Sequence, residues 1–199
     1  MRQIIIPTTP RFSEKPQGVI SLYKWSGNGY APRVDIFLTA DGQKLFVKFE
    51  VYERAAAVKY PSDGQPVYND SAVEFFLKPF DDDPRYLNFE FNAVCAAVLG
   101  FGEGKTGRAE LIERFKKTLN ASVVTESQKW RLCFEIPAEI IGSVYGRRFS
   151  FYGRSMTGNF YKCGDQTAYP HFGMLFDVES LTPDFHKPES FGRLKIVKD

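Results

Sequence analysis

Hydrophobic and polar residues alternate with a period of two along much of the chain. From Lys44 to Tyr52, Leu45, Val47, Phe49 and Val51 fall on one side and Lys48, Glu50 and Tyr52 on the other. The alternation also marks Val34, Ile36 and Leu38, then Val73, Phe75 and Leu77 against Glu74 and Lys78. Leu87, Phe89 and Phe91 oppose Asn88, Glu90 and Asn92, and the pattern returns at Trp130, Leu132, Phe134 and Ile136, then at Phe149 and Phe151. Successive side chains of a strand point to opposite faces, so this period predicts strands with one apolar and one polar face. Asp41-Gly42, Ser62-Asp63-Gly64 and Asp81-Asp82-Asp83-Pro84 supply turns between the runs. Two antiparallel sheets packed by their apolar faces satisfy such a pattern.

Helical signal is sparse. Arg108 to Lys117 places Leu111, Ile112 and Phe115 with mixed helical spacing, enough for two or three turns. Pro137 to Ile141 begins another turn, with proline at a tolerated first position. No strand–helix–strand repeat and no linker of biased composition divides the chain. The expectation is one all-β domain over residues 1–199, an antiparallel β-sandwich of immunoglobulin-like or jelly-roll-like kind with one or two short helices. The segment after Cys163 reads as long loops packed on the sandwich, closed by a strand at Arg193 to Val197.

Composition changes this picture in one respect, the 19 Phe, 10 Tyr and 2 Trp that make 16% of 199 residues aromatic. The formal net charge of +2, without a long basic run, argues against nucleic acid or anionic membranes as partners. No stretch of about 18 apolar residues predicts a membrane span. The apolar stretch from Met1 to Pro7 is too short for a signal-peptide core, so a cytoplasmic location is the expectation. Cys95, Cys133 and Cys163 are odd in number and far apart, which offers neither a disulfide framework nor a CxxC metal or redox pair.

Several segments invite a chemical reading. Gly102-Glu103-Gly104-Lys105-Thr106 has Leu99 where a phosphate-binding loop needs its first glycine, so it reads as a flexible hairpin tip. Asp81, Asp82 and Asp83 offer hard oxygens for a structural calcium but lack the ligand spacing of a helix–loop–helix site. A solvated turn is the plainer reading, and no cofactor and no metal ligand is assigned. His171 and His186 lie in the aromatic tail without a recognisable dyad or metal motif, and haem held between Met and His is not expected from two loop histidines. Glu50, Glu74 and Glu90 fall on polar strand faces. Such a row accepts hydrogen bonds from sugar hydroxyls, or in an enzyme supplies a carboxylate pair. No catalytic residue is assigned.

Tyr68-Asn69-Asp70-Ser71-Ala72-Val73-Glu74-Phe75-Phe76-Leu77 followed by Tyr86-Leu87-Asn88-Phe89-Glu90-Phe91-Asn92 resembles the family 9 carbohydrate-binding modules. Trp130 to Pro137 with Glu135, Arg148 to Arg154, and the ending Pro183 to Leu194 are similar to later elements of that family, in order, so the likeness spans nearly the whole chain. The resemblance implies a β-sandwich that grips a glucan or xylan chain end between two aromatic rings, with structural calcium. It implies one ring at Tyr68, a carboxylate at Glu74, an amide at Asn92 and a polar contact from Arg154, while Glu90, also a candidate sugar contact, departs from the family in standing where such modules often place Arg. No Trp follows Trp130, so the second ring falls to Tyr169, His171 or Phe172. Two other readings stand beside sugar binding: a carbohydrate-active enzyme using strand-face carboxylates, and a structural or interaction module with a degenerate sugar site. Oligomeric state is not legible.

Overall fold

The computed structural model describes residues 2–198. Two sheets face each other. The larger runs β1 (Gln3–Pro7), β13 (Gly192–Val197), β11 (Ser155–Cys163), β5 (Ala72–Lys78), β6 (Tyr86–Asn92), β7 (Ala97–Gly102) and β8 (Ala109–Glu110), and β12 (Phe172–Met174) pairs with the end of β11. The smaller runs β2 (Gly18–Ile20), β3 (Val34–Ala40), β4 (Lys44–Val51), β10 (Trp130–Pro137) and β9 (Ser122–Thr125). All named pairs are antiparallel except β1 with β13, which is parallel. The chain is therefore an all-β sandwich.

The predicted apolar faces meet in the middle. Leu45, Val47, Phe49 and Val51 of β4 and Trp130, Leu132, Phe134 and Ile136 of β10 join Val73, Phe75, Leu77, Leu87, Phe89 and Phe91 from the other sheet in one core. Phe75 and Phe160 stack across neighbouring strands at 4.3 Å. Each such buried side chain stabilises the fold by about 1.5–3 kcal/mol relative to an exposed one. Helix α2 (Ala138–Tyr145) follows Pro137 and ends at Gly146, whose φ of 66° is the left-handed cap that glycine adopts without strain.

Two local expectations change. Phe149 and Phe151 lie in the connection between α2 and β11, not in a strand; their rings pack edge-on at 4.9 Å, which spaces them alternately without sheet pairing. The stretch from Arg108 to Lys117 contributes β8 and only four residues of helix, α1 (Ile112–Phe115). Trp25 packs on Phe185 at 5.8 Å and donates from Nε1 to the Ser180 carbonyl at 3.1 Å.

The segment after β11 forms a third layer. It crosses the outer face of β5, β6 and β11, where Phe76, Tyr86 and Tyr161 join Met174, Val178 and Phe185 in a second apolar cluster. The polar strand faces are consequently covered, and Glu74, Asn88, Glu90 and Asn92 are buried. Among the described residues no helix is long and apolar enough to cross a membrane.

One ion pair is built into the inner side of the sandwich. Lys162 Nζ lies 3.6 Å from Glu53 Oε2 and donates to Ser71 Oγ and the Cys163 carbonyl, each at 3.0 Å. Glu53 also accepts from Ser71, from Tyr30 at 2.8 Å and from Trp130 Nε1 at 3.2 Å. Burial alone would raise the Glu53 pKa, but the Lys162 charge and these donors together hold it below the ordinary value.

Candidate functional site

Antiparallel register sets Glu74 of β5 opposite Glu90 of β6, with Tyr161 of β11 on the other side of Glu74. Directly opposed residues carry Cβ atoms about 4.5–5.5 Å apart, so the two carboxyls stand side by side. A pocket of about 330 Å³ opens above them. Tyr68, in the 3-10 turn Val67–Asn69, forms one wall with Asp165, whose backbone N–H donates to the Tyr68 carbonyl at 3.2 Å. Phe172 at the start of β12, the tail from Pro183 to His186, and Lys105 at the β7–β8 hairpin tip complete the lining.

Burial dominates the electrostatics. Glu74 and Glu90 are only 4% and 5% exposed. Burial, and then the neighbouring Glu90 charge, pushes the Glu74 carboxyl well above its ordinary value; the Cys163 thiol donates to its Oε1 at 3.0 Å. Glu90 is pushed up to about 7 by burial, against the opposing hydrogen bond from Asn88 Nδ2 at 2.6 Å. Burial likewise pushes Asp165 up to about 6, with Lys105 opposing. Burial thus favours the protonated form of Glu74, which can donate as well as accept, while Glu90 sits near its midpoint at neutral pH. Glu90 Oε2 is buried without a hydrogen-bond partner, a state that costs about 1–3 kcal/mol.

The floor is held from behind. Arg108 Nε donates to Asn88 Oδ1 at 2.9 Å, its other nitrogens donate to the carbonyls of Tyr86, Gly100, Gly102 and Gly104, and its guanidinium lies 4.2 Å over the Tyr86 ring. Asn88 can cross β7 because residue 100 is glycine; a Cβ there would stand 2.4 Å from Asn88 Oδ1. Arg108 thus orients Asn88, and Asn88 orients Glu90. On the tail side Phe185 stacks on Tyr161 at 4.1 Å, and His186 Nδ1 lies 2.8 Å from the Tyr86 hydroxyl. Burial pushes His186 down to about 4, so it is neutral.

Of the residues read from sequence, Tyr68, Glu74, Glu90 and Phe172 meet at this pocket, and Asn92, Arg154, Tyr169 and His171 do not line it. Asn92 is consumed by the turn after β6, donating to the Tyr60 carbonyl at 2.8 Å and accepting from Ala96 N at 3.0 Å. Arg154 sits at the opposite end of β11, stacked 5.0 Å from Phe149 and donating to the Ser150 carbonyl. Tyr169 packs on Tyr30 at 5.7 Å. His171 is buried with Nε2 2.7 Å from Lys162 Nζ, and burial together with the Lys162 charge pushes it down to about 4. Sequence reading missed Lys105, Asp165, Pro183, Asp184, Phe185 and His186. They lie in hairpin and tail segments without period, and only the aromatic and histidine content of the tail hinted at them.

The acidic turn does not fit a calcium ion. Asp81 is engaged by Arg193 at 3.1 Å, Asp82 by Arg147 at 2.8 Å and Asp83 by Arg85 at 2.7 Å, so each carboxylate already faces a guanidinium. Among the described residues no group of three or more His, Cys, Asp or Glu is arranged to hold a metal.

No curated protein matches the chain. A candidate carbohydrate-binding protein from Bacteroides uniformis ATCC 8492 shares the fold with a TM-score of 0.84 at 23% identity, covering 98% of this chain and 99% of that one. A family 9 carbohydrate-binding module from Caldicellulosiruptor kristjanssonii, solved with glucose, aligns at TM-score 0.68 and 15% identity over 100% of this chain and 97% of that one. A family 9 module from the same organism, solved with cellotriose, aligns at TM-score 0.67 and 15% identity, covering 100% of this chain and 95% of that one. The sequence model described as "Carbohydrate-binding family 9" matches residues 10–196, nearly the whole chain. The protein belongs to carbohydrate-binding family 9.

Proposed function

We propose that the protein binds a glucan- or xylan-type mono- or oligosaccharide, without chemically altering it, in the pocket above Glu74 and Glu90. The observation that carries this reading is the buried, unpartnered Glu90 Oε2 on a floor flanked by Tyr68, Phe172 and Phe185. Carboxyls in a water-poor pocket accept from sugar hydroxyls, and the apolar C–H face of a pyranose stacks on an aromatic ring. The Caldicellulosiruptor kristjanssonii modules of the same fold, solved with glucose and with cellotriose, support the sugar class.

The carboxyl arrangement favours binding over hydrolysis. A glycosidase sets one carboxyl on each flank of the scissile bond, with one ionised and one protonated. Here Glu74 and Glu90 share one floor on adjacent strands, and both are pushed toward the protonated form. Titration calorimetry with glucose, cellobiose, cellotriose, xylose and xylobiose tests the reading. Affinities of about 1 mM or tighter are expected for at least one of them. Tyr68→Ala removes a stacking surface and is expected to weaken binding about fivefold to tenfold. Absence of heat at tens of millimolar sugar, or binding indifferent to Tyr68→Ala, would contradict it.

A further inference from the structure

The charge lining the pocket specifies more than a neutral sugar. Four carboxyl groups, Glu74, Glu90, Asp165 and Asp184, face it, against one ammonium, Lys105. The other nearby cation, Arg108, is spent on Asn88 and four backbone carbonyls, and His186 is neutral. Among the described residues Lys105 forms no ion pair with these carboxyls, and Asp184 leans on Lys187 at 3.6 Å. Glu90, a residue 5% exposed, lines the pocket, and its Oε2 is buried without a hydrogen-bond partner. A buried acceptor of that kind is matched best by a charged N–H donor, whose hydrogen bond to a carboxylate is about twice as strong as a neutral one.

Building on the sugar-binding reading, we infer that the pocket prefers a sugar bearing a free amino group, of the 2-amino-2-deoxyhexose class, over its neutral counterpart. The ammonium sits against Glu90 and Asp165 and holds both in the ionised form, while Tyr68 and Phe172 take the pyranose face. A divalent cation is a poorer occupant, because no three carboxylates converge on one point among the described residues. An acidic sugar meets the carboxylates of Asp165 and Asp184 and is disfavoured by like charge.

The probes are three β-1,4-linked disaccharides of similar size: diglucosamine, its di-N-acetylated form and cellobiose, titrated into the whole protein at pH 7. Diglucosamine is expected to bind about tenfold more tightly than cellobiose, a ratio equivalent to about 1.4 kcal/mol. The N-acetylated form, neutral at the same position, loses that advantage. High salt lowers the ratio, and Glu90→Gln brings it toward one. If Glu90→Gln does not fold, Asp165→Asn and the N-acetylated probe still report on charge. Equal or tighter binding of cellobiose overturns the preference and leaves the sugar-binding reading standing. No binding of any of the three overturns both.

Discussion

Glu90 is where burial, hydrogen bonding and function meet in a single side chain. Asn88 satisfies one carboxyl oxygen, the other is unpartnered, and burial pushes the group up to about 7 from 4.5. Because the folded form keeps its proton where the unfolded form has lost it, Glu90 costs stability as pH rises from 4.5 to 7, about 3 kcal/mol in all. His171 and His186 act in the opposite sense between 6.5 and about 4, so the wild-type profile alone mixes the effects. The difference between Glu90→Gln and wild type isolates the carboxyl. The variant is expected to match wild type in melting temperature near pH 4.5 and to exceed it increasingly toward pH 7.5. A constant difference across that range would mean that Glu90 titrates normally. Sequence reading placed Glu74 and Glu90 on a polar strand face, which the register bears out, but did not say which segment covers that face. Period two tells which side points to the core and is silent on what lies over the other side.

At the scale of elements, β11 joins the two sides of the molecule. Its outer residues Tyr161 and Cys163 support the pocket through Phe185 and Glu74, while its inner residue Lys162 anchors the polar cluster of Glu53, Ser71 and His171. Removing one partner of a buried ion pair strands the other charge, a loss of about 3–5 kcal/mol. Lys162→Met is therefore expected to lower unfolding free energy by that amount in urea titration, and a change below about 1 kcal/mol would show that the pair contributes little. This cluster escaped sequence reading because Glu53 lies just beyond the regular alternation of β4, and Lys162 breaks the rule that inward positions are apolar. His171 and Asn92 were assigned to the sugar by the family resemblance; their partners are instead Lys162, on the strand before His171, and Tyr60, in a loop distant in sequence from Asn92.

As a whole the protein is a sandwich with a third, irregular layer, and that layer turns a polar sheet face into a pocket. The strands of the two sheets were legible from β3, β4, β5, β6 and β10, whose inward positions are apolar at every second residue. The tail was legible only as a loop-rich segment, since its aromatic residues follow no period and are fixed by what they cover. Half of the sugar-facing residues assigned from sequence meet at the pocket, and the rest of its lining comes from the tail and from one hairpin. Amide chemical-shift mapping during titration with cellotriose tests the central claim most directly. The account predicts saturable shifts confined to Tyr68, the Glu74 and Glu90 strands, Asp165, Phe172 and the Pro183 to His186 tail. Shifts centred instead on the groove between Thr9, Phe46 and Tyr152 on the other side of the molecule, or no shifts at all, would contradict it.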